Sequence, residues 1–516
     1  MYDYNGNVSR EFVTEILECF KTYKADKEPV MQRIRDNERF YASCYEPVSP
    51  ELKQSLHTNT PLIFSAIENA RADATDSYPS PNILEREPQG TAAARMLSRI
   101  VPAQLEISEF KRTYKDNMRS KLKYGTAVYG VFYNEDTGDI EIKSVALSDI
   151  YVDMHIQDIQ ESRFLFINAA VENDVLIERY PELDSLFTGD TVIETFSENC
   201  ILKNRSPVLD CYYKKPDGTV HMIKLCRDTV LMATEDLKGY ENGIYSHGMY
   251  PVVFDTLYPV ENCPFGFGML DIGKTTQITI DKLDAAITEN IMCGAKPRYL
   301  AKRNGGIDEE EFKDLSRNIV HYEGDADSIK PVDTAGISEY FLAHRERKKE
   351  ELKEILANRD FQQGATSGGV TAASAIEALR ETGEKRTRSI VNDTYDTYKK
   401  IIYMMLELMR EFFSNKHVYR VTDDWGQKTF EEFSGSDMFF EGRRLQFDIE
   451  VVPQRESPFS RESGNKTIVE FWDKGLFLPE NYSSAIIALK NMNFDGKENL
   501  LADLKNKAYE RGTLNV

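Results

Sequence analysis

Apolar residues recur at helical spacing through the first part of the chain. Phe12, Ile16, Cys19, Phe20 and Tyr23 fall on one face with acids and lysines between them, which predicts an amphipathic helix. Thr60-Pro61 opens a second such stretch, carrying Leu62, Ile63, Ala66, Ile67 and Ala70. Proline is tolerated in a first turn because its missing N–H had no partner there. Tyr78-Pro-Ser-Pro81 reads as a break, and a third helix is expected over 91–123, ending before Tyr124-Gly125. The period then falls to two. Val128 to Tyr133 and Ile140 to Val145 flank Asn134-Glu-Asp-Thr-Gly-Asp139, a hairpin signal. Runs at 164–170, 208–214, 221–225 and 252–257 predict further strands, with Pro216-Asp-Gly218 as a tight turn.

The helical period returns at Leu270 to Cys293, stopped by Gly294 and Lys296-Pro297. Residues 298–301 and 318–322 are candidate strands, and Ser338 to Asp360 is a second helix dense in charge. After the small-residue loop Gly364-Ala-Thr-Ser-Gly-Gly369, residues 371–413 hold no proline and keep a helical period: Ala372, Ile376, Leu379, Gly383, Ile390, Ile401, Met405, Leu408 and Phe412. A helix of that length is roughly 60 Å long. Its heptad is not sustained, so it is expected to span parts of an assembly rather than form a coiled coil. Short strands follow Tyr419, with 445–452 clearest, and three short helical stretches close the chain. The fold class is α+β, over about three domains' worth of chain for 516 residues.

Charge changes the picture more than composition does. Eighty-five acids against 64 bases give a net charge of −21, which argues against a tight general nucleic-acid binder; the excess fits plain solubility first, and is also compatible with an acidic wall past which DNA slides. No apolar run is long enough to span a membrane, and no basic and apolar leader opens the chain. Seven cysteines without a C-x-x-C pair argue against a disulfide framework or a zinc cluster.

Candidate chemistry is sparse. Gly268-Met-Leu-Asp-Ile-Gly-Lys274-Thr275 fits the phosphate-loop pattern, which needs a buried central strand running straight into the loop. Pro264 and Gly266 forbid such a strand, and Val252-Val-Phe-Asp255, which looks like a magnesium-holding run, lies upstream of it. The alternative is that Gly266 and Gly268 form a turn leading into a helix. No two histidines pair at helical spacing, and no G-x-S-x-G elbow occurs. No catalytic residue, metal ligand or cofactor is therefore expected. The cations Arg345, Arg347, Lys348 and Lys349 alternate with acids. They fit a solvated, ion-paired face, or contact with a polyanion or a neighbouring copy.

Several stretches, in this order, resemble the portal proteins of tailed bacteriophages. Tyr124-Gly-Thr-Ala127 precedes a hairpin; Ser148-Asp-Ile-Tyr-Val-Asp153 resembles a family strand; Pro264-Phe-Gly-Phe-Gly268 resembles the lead into the first stem helix. Gly369-Val-Thr-Ala-Ala-Ser-Ala-Ile376 with Ala378, Leu379 and Glu381 resembles the opening of the long helix. Phe447-Asp-Ile-Glu-Val-Val452, Ser460-Arg-Glu462 and Asp473-Lys-Gly475 resemble the last strand and C-terminal helices.

The resemblance implies a portal-type fold in a ring, usually of twelve copies, at the capsid vertex of a virion, made in the host bacterial cytoplasm. It divides the chain into a wing (1–265), a stem helix (266–293), a small α/β clip (294–337), a second stem helix (338–360), a tunnel loop (361–371), a long spanning helix (372–413), wing strands (414–456) and a helical crown (457–516). Implied partners are further copies of the chain, double-stranded DNA packaged and later ejected through the channel, the terminase large subunit, a head–tail adaptor, and the capsid and scaffolding proteins. No membrane is implied. In the tunnel loop, Gln362, Gln363, Gly364, Thr366, Ser367, Gly368 and Gly369 would face DNA. The loop has no charge of its own, so its contact would be steric. In the clip, Lys296, Arg298, Lys302 and Arg303 are the candidates for a basic ring and a docking surface, beside the acids of 308–311. Two other readings are a phosphate-loop packaging ATPase, and a capsid or baseplate protein without a DNA channel.

Overall fold

The computed structural model describes residues 8–43, 60–194, 199–240, 242–295, 299–301, 310, 329–331, 338–357, 385–422, 428–455, 469–475, 478, 482–490, 500–501, 503–504 and 507. In chain order the helices are α1 (Arg10–Tyr41), α2 (Leu62–Asp76), α3 (Thr91–Ile107), α4 (Phe110–Tyr124), α5 (Asn173–Arg179), α6 (Met269–Ala295), α7 (Glu339–Ile355), α8 (Lys385–Phe412) and α9 (Tyr482–Lys490). The strands are β1 (Ser77–Glu85), β2 (Thr126–Asn134), β3 (Asp139–Ser144), β4 (Ile150–Tyr151), β5 (Phe164–Glu172), β6 (Thr191–Glu194), β7 (Asn199–Leu202), β8 (Arg205–Lys214), β9 (Val220–Cys226) and β10 (Thr229–Ala233). They continue with β11 (Val252–Thr256), β12 (Tyr258–Val260), β13 (Cys263–Phe267), β14 (Tyr299–Ala301), β15 (Ile329–Pro331), β16 (His417–Thr422), β17 (Lys428–Phe433), β18 (Phe439–Phe440), β19 (Arg443–Arg444) and β20 (Phe447–Arg455). The chain is a mixture of helix and strand. It divides into two compact units: Met1–Glu38, Ile67–Asp271 and Thr371–Val516 form one, and Arg39–Ala66 with Ile272–Val370 form the other.

The first unit is built on a five-stranded antiparallel sheet, ordered β10-β9-β8-β5-β4. The run Phe164-Leu-Phe-Ile167 on β5 is apolar at every position because both faces of that sheet are covered. Phe164 and Phe166 join Leu209, Cys211, Ile223 and Leu225 under the apolar stripe of α1, where Val13, Ile16 and Tyr23 are buried. Leu165, Tyr212, Val220 and Met222 pack the other way, against Val128, Val252 and Phe265. A second sheet, β11-β2-β3, supplies Val128 and Val252. The β2–β3 hairpin pairs Tyr133 with Ile140. Asn134 Oδ1 accepts from the Asp136 N–H at 2.9 Å, and Gly138 takes φ +69°. That is the Asx and glycine chemistry its sequence carries.

Two expectations are corrected. Residues 78–81 do not break the chain; they lie in β1, which among the described residues pairs with β20 alone. Pro79 stands opposite Pro453, and Pro81 is two residues on. Neither member of the Pro79 pair has an N–H to give, so these positions fall where the two strands exchange no hydrogen bond. Residues 91–123 form two helices, α3 and α4, rather than one. Glu109 between them takes a left-handed φ of 49°, which ends the first and redirects the chain.

In the second unit, Ser338 caps α7, its side chain accepting from the Tyr340 N–H at 3.4 Å. The candidate strand at 298–301 is seen as β14 and pairs with β15 at 329–331; residues 318–322 lie outside the described residues. Among the described residues no helix is long and apolar enough to cross a membrane.

Candidate functional site

Three places carry the buried polar groups and close contacts that set the positions of the long helices. The first is the lead into α6. Here two of the quoted motifs meet. Gly266 N–H donates to Thr126 Oγ1 at 2.9 Å, and Leu257 N–H donates to the Gly125 carbonyl at 2.8 Å. A Cβ on Gly268 would stand 2.4 Å from the Lys123 carbonyl oxygen, and one on Gly125 only 2.2 Å from the Phe267 carbonyl carbon. Both contacts are with backbone, which cannot give way, so only glycine fits. The glycines of Tyr124-Gly-Thr-Ala127 and Pro264-Phe-Gly-Phe-Gly268 are thus two sides of one backbone crossing.

This arrangement also explains the phosphate-loop match. The residues ahead of α6 do form a strand, β13, but among the described residues it pairs with β12 alone and is not central to a sheet. Gly273, Lys274 and Thr275 lie inside α6, so their N–H groups belong to the helix ladder and do not converge on a phosphate. Gly268 N–H donates to Asp271 Oδ2 at 2.8 Å, and the Lys274 ammonium lies over the Phe40 ring, 5.6 Å from its centre.

The second place is the anchor of α8. Its apolar face buries Ile390, Tyr398, Ile401, Ile402, Met405, Leu408 and Met409. Phe412 stacks on Tyr133 with ring centres 4.1 Å apart. Within this face sits an ion pair. Lys121 of α4 and Asp255 of β11 have side chains 0% and 2% exposed, and Nζ meets Oδ1 at 2.6 Å. Lys121 also donates to Thr394 Oγ1 at 2.7 Å, and Thr394 in turn donates to Asp255 Oδ2 at 3.1 Å. Thr397 Oγ1 adds a longer contact to Asp255 at 3.4 Å. One charged pair thereby ties the long helix to both a helix and a sheet. Asp255 is the acid of Val252-Val-Phe-Asp255, and its carboxylate is taken up by these three side chains.

Sequence reading passed over this pair, and also Lys27. The Lys27 side chain is fully buried on α1, where Nζ donates to the Leu147 and Ile150 carbonyls, the second at 2.5 Å. The Tyr151 ring faces it at 4.3 Å. Burial is the main cause that lowers its pKa, to about 7, against the opposing pull of Asp149 and Glu28. A signal for Lys121 was present: it follows Phe110, Tyr114 and Asn117 at helical spacing, on the side of α4 that is buried.

The third place is in the second unit. Arg345 on α7 grips Asp284 on α6 with two guanidinium nitrogens, one at 3.0 Å. Hydrogen bonding to Asp284 raises the Arg345 pKa. Two turns back along α6, Gln277 Nε2 donates to Asp281 Oδ1 at 2.9 Å and to the Thr60 carbonyl at 2.7 Å. Of the other predicted stem cations, Lys348 pairs with Glu351 at 2.8 Å and Lys349 with Glu346 at 3.5 Å, both three residues apart along α7. Arg347 is exposed. The cluster is thus an ion-paired helix face with one member, Arg345, serving as a clamp between helices. Large apolar side chains are exposed in the same unit: Tyr340 (69%), Phe341 (51%), Leu342 (46%) and Leu300 (66%).

The predicted clip cations Lys296, Arg298, Lys302 and Arg303 lie outside the described residues. So do the tunnel-loop residues Gln362, Gln363, Gly364, Thr366, Ser367, Gly368 and Gly369, and the first part of the expected long helix, 371–384.

No curated protein matches the chain. A protein-family model described as phage P22-like portal protein matches residues 277–512, which takes in most of α6, all of α7 and α8, and α9. Over those residues, somewhat less than half of the chain, it is similar to the phage P22-like portal proteins.

Proposed function

We propose that this chain is the portal subunit of a tailed phage, assembling into a closed ring at one capsid vertex through which double-stranded DNA is packaged and later released. The observation that carries the reading is the family match over 277–512, because that span holds most of the first proposed stem helix, all of the second and the long helix behind them. The Arg345–Asp284 clamp supports it by making α6 and α7 a braced pair, which a stem must be to bear load. The exposed Tyr340, Phe341, Leu342 and Leu300 support it as surface for a neighbouring copy. The role is structural, with no chemistry of its own. Residues 294–337, with Lys296, Arg298, Lys302 and Arg303, would receive the terminase large subunit and then the head–tail adaptor. Gln362 to Gly369 would be the loop against DNA, and 457–516 would face the capsid interior with its scaffolding and coat proteins.

The test separates assembly from transport. Shortening Gly364 to Gly369 should leave the ring's mass unchanged and lower the yield of DNA-filled heads in an in vitro packaging reaction. Normal packaging by that variant would remove these residues from the channel.

A further inference from the structure

The ribbon of β1 and β20 has two unlike edges. Pro79 stands opposite Pro453 and neither has an N–H, so the odd-numbered residues of both strands point their backbone groups away from the partner strand. On β1 that outer edge is closed. Pro79 and Pro81 have no N–H to offer. At Ile83 the Ser98 hydroxyl of α3 accepts from the N–H at 2.9 Å and donates to the carbonyl at 3.0 Å. On β20 the outer edge is open. Phe447, Ile449 and Val451 point N–H and C=O outward, and among the described residues no hydrogen bond reaches those groups.

The opening has defined ends. Before it, the Leu445 N–H is given to the Met438 carbonyl at 3.1 Å, and the Leu445 carbonyl accepts from Arg410 Nη2 at 2.7 Å. After it, Pro453 has no N–H. What remains is a template for an extended segment of about five residues, roughly 17 Å long. Folded chains blunt such an edge with proline or cover it. Both devices are present on β1 and neither on β20, which marks β20 as the edge meant to be paired.

Charge says with what. Glu450, in the middle of the open edge, is exposed and meets only the Asn82 amide at 3.4 Å. Among the described residues it has no cation, whereas Asp448 is paired with Arg86. The matching surface lies on the β16–β17 ribbon. That ribbon buries Tyr419 and Val421 on one face and exposes Val418 (62%), Phe430 (74%) and Arg420 on the other. Arg420 stands opposite Phe430 and has no carboxylate partner among the described residues. Within one copy the two ribbons are separate sheets.

We infer that the outer edge of β20 receives the β16–β17 ribbon of a second copy of this chain, with the second copy's Arg420 meeting Glu450. The inference rests on the ring reading and gives it a contact. Two different surfaces meet, and such a head-to-tail interface is what closes a ring. Nucleic acid cannot fill this edge, because the ladder needs peptide groups.

The experiment uses the full-length chain. Hydrogen exchange over 447–451, read by mass spectrometry, should show three fast amides in the monomer that slow at least about tenfold in the assembled fraction. Val451→Pro removes one outward N–H and places proline opposite Pro81, as Pro453 stands opposite Pro79. It should fold, which circular dichroism checks, and raise the concentration for half-assembly at least about tenfold. Glu450→Lys and Arg420→Glu should each raise it about tenfold, and the two combined in one chain should recover most of the loss. A wild type that does not self-associate overturns both this inference and the ring reading. A wild-type ring overturns this inference alone if Val451→Pro assembles normally or if the charge reversals do not rescue one another. So does equal exchange at 447–451 in monomer and ring.

Discussion

Asp255→Ala should destabilise the first unit by about 3–5 kcal/mol, seen as a lower urea midpoint with an unchanged slope. The substitution strands the Lys121 ammonium in a site that is 0% exposed, with only Thr394 Oγ1 at 2.7 Å and the Ile390 carbonyl at 3.4 Å as acceptors. A buried charge without its counter-charge costs far more than the pair contributes, because the desolvation has already been incurred. The companion variant decides the cause. Lys121→Met with Asp255→Leu removes both charges and keeps the volume, and it should recover most of the loss. If the double variant is no more stable than Asp255→Ala, the damage comes from lost shape around Thr394 and not from a stranded charge. The single variant should also loosen α8, since Asp255 holds Thr394 at 3.1 Å.

Lys27 should make stability depend on pH in a narrow window. Its folded pKa is about 7, against an ordinary value of 10.5, and burial is the leading cause. Between those values the unfolded chain holds a proton that the folded chain does not. Stability therefore rises with pH from about 7 to about 10.5 and is lowest, on this account, below 7, where the buried amine is charged. The slope from this one group is about 1.4 kcal/mol per pH unit. Neutral lysine still has two hydrogens, enough for the Leu147 and Ile150 carbonyls it serves. Lys27→Met should remove the slope and leave those carbonyls without a donor. Wild type should accordingly exceed the variant most at high pH, and the gap should close as pH falls. Parallel stability profiles for the two proteins would show that Lys27 does not titrate in this window.

Much of the fold was legible because period and punctuation agreed. The α1 stripe, the β2–β3 hairpin, the runs of β5, β8, β9 and β11, and the start of α6 all carry apolar spacing bounded by turn residues. The misreadings have local causes. Prolines 79 and 81 looked like a break because their tolerance in β1 depends on positions that exchange no hydrogen bond with the neighbouring strand, which only the β20 register reveals. The split between α3 and α4 turns on the left-handed φ of Glu109, for which no glycine advertises. Of the buried polar groups, the sequence pattern held only half. Lys121 sits on an apolar stripe, but nothing in the order of residues places it beside Asp255, which is 134 positions on. The stem cations were readable as an ion-paired face, and the special standing of Arg345 was not, since its partner Asp284 lies 61 positions back on another helix. The two glycine motifs were each visible; that they cross one another follows only from the chain's return at β13.

The most direct test of the central claim is the native mass of the full-length protein with electron micrographs of the same fraction. Twelve subunits of 59.2 kDa would weigh roughly 710 kDa. A closed ring near that mass, with an open bore at least as wide as a DNA duplex, is the predicted result. A closed assembly without such a bore would contradict the channel. So would a monomer that hydrolyses ATP and loses that activity in Lys274→Ala, which would return the function to Gly268 through Thr275.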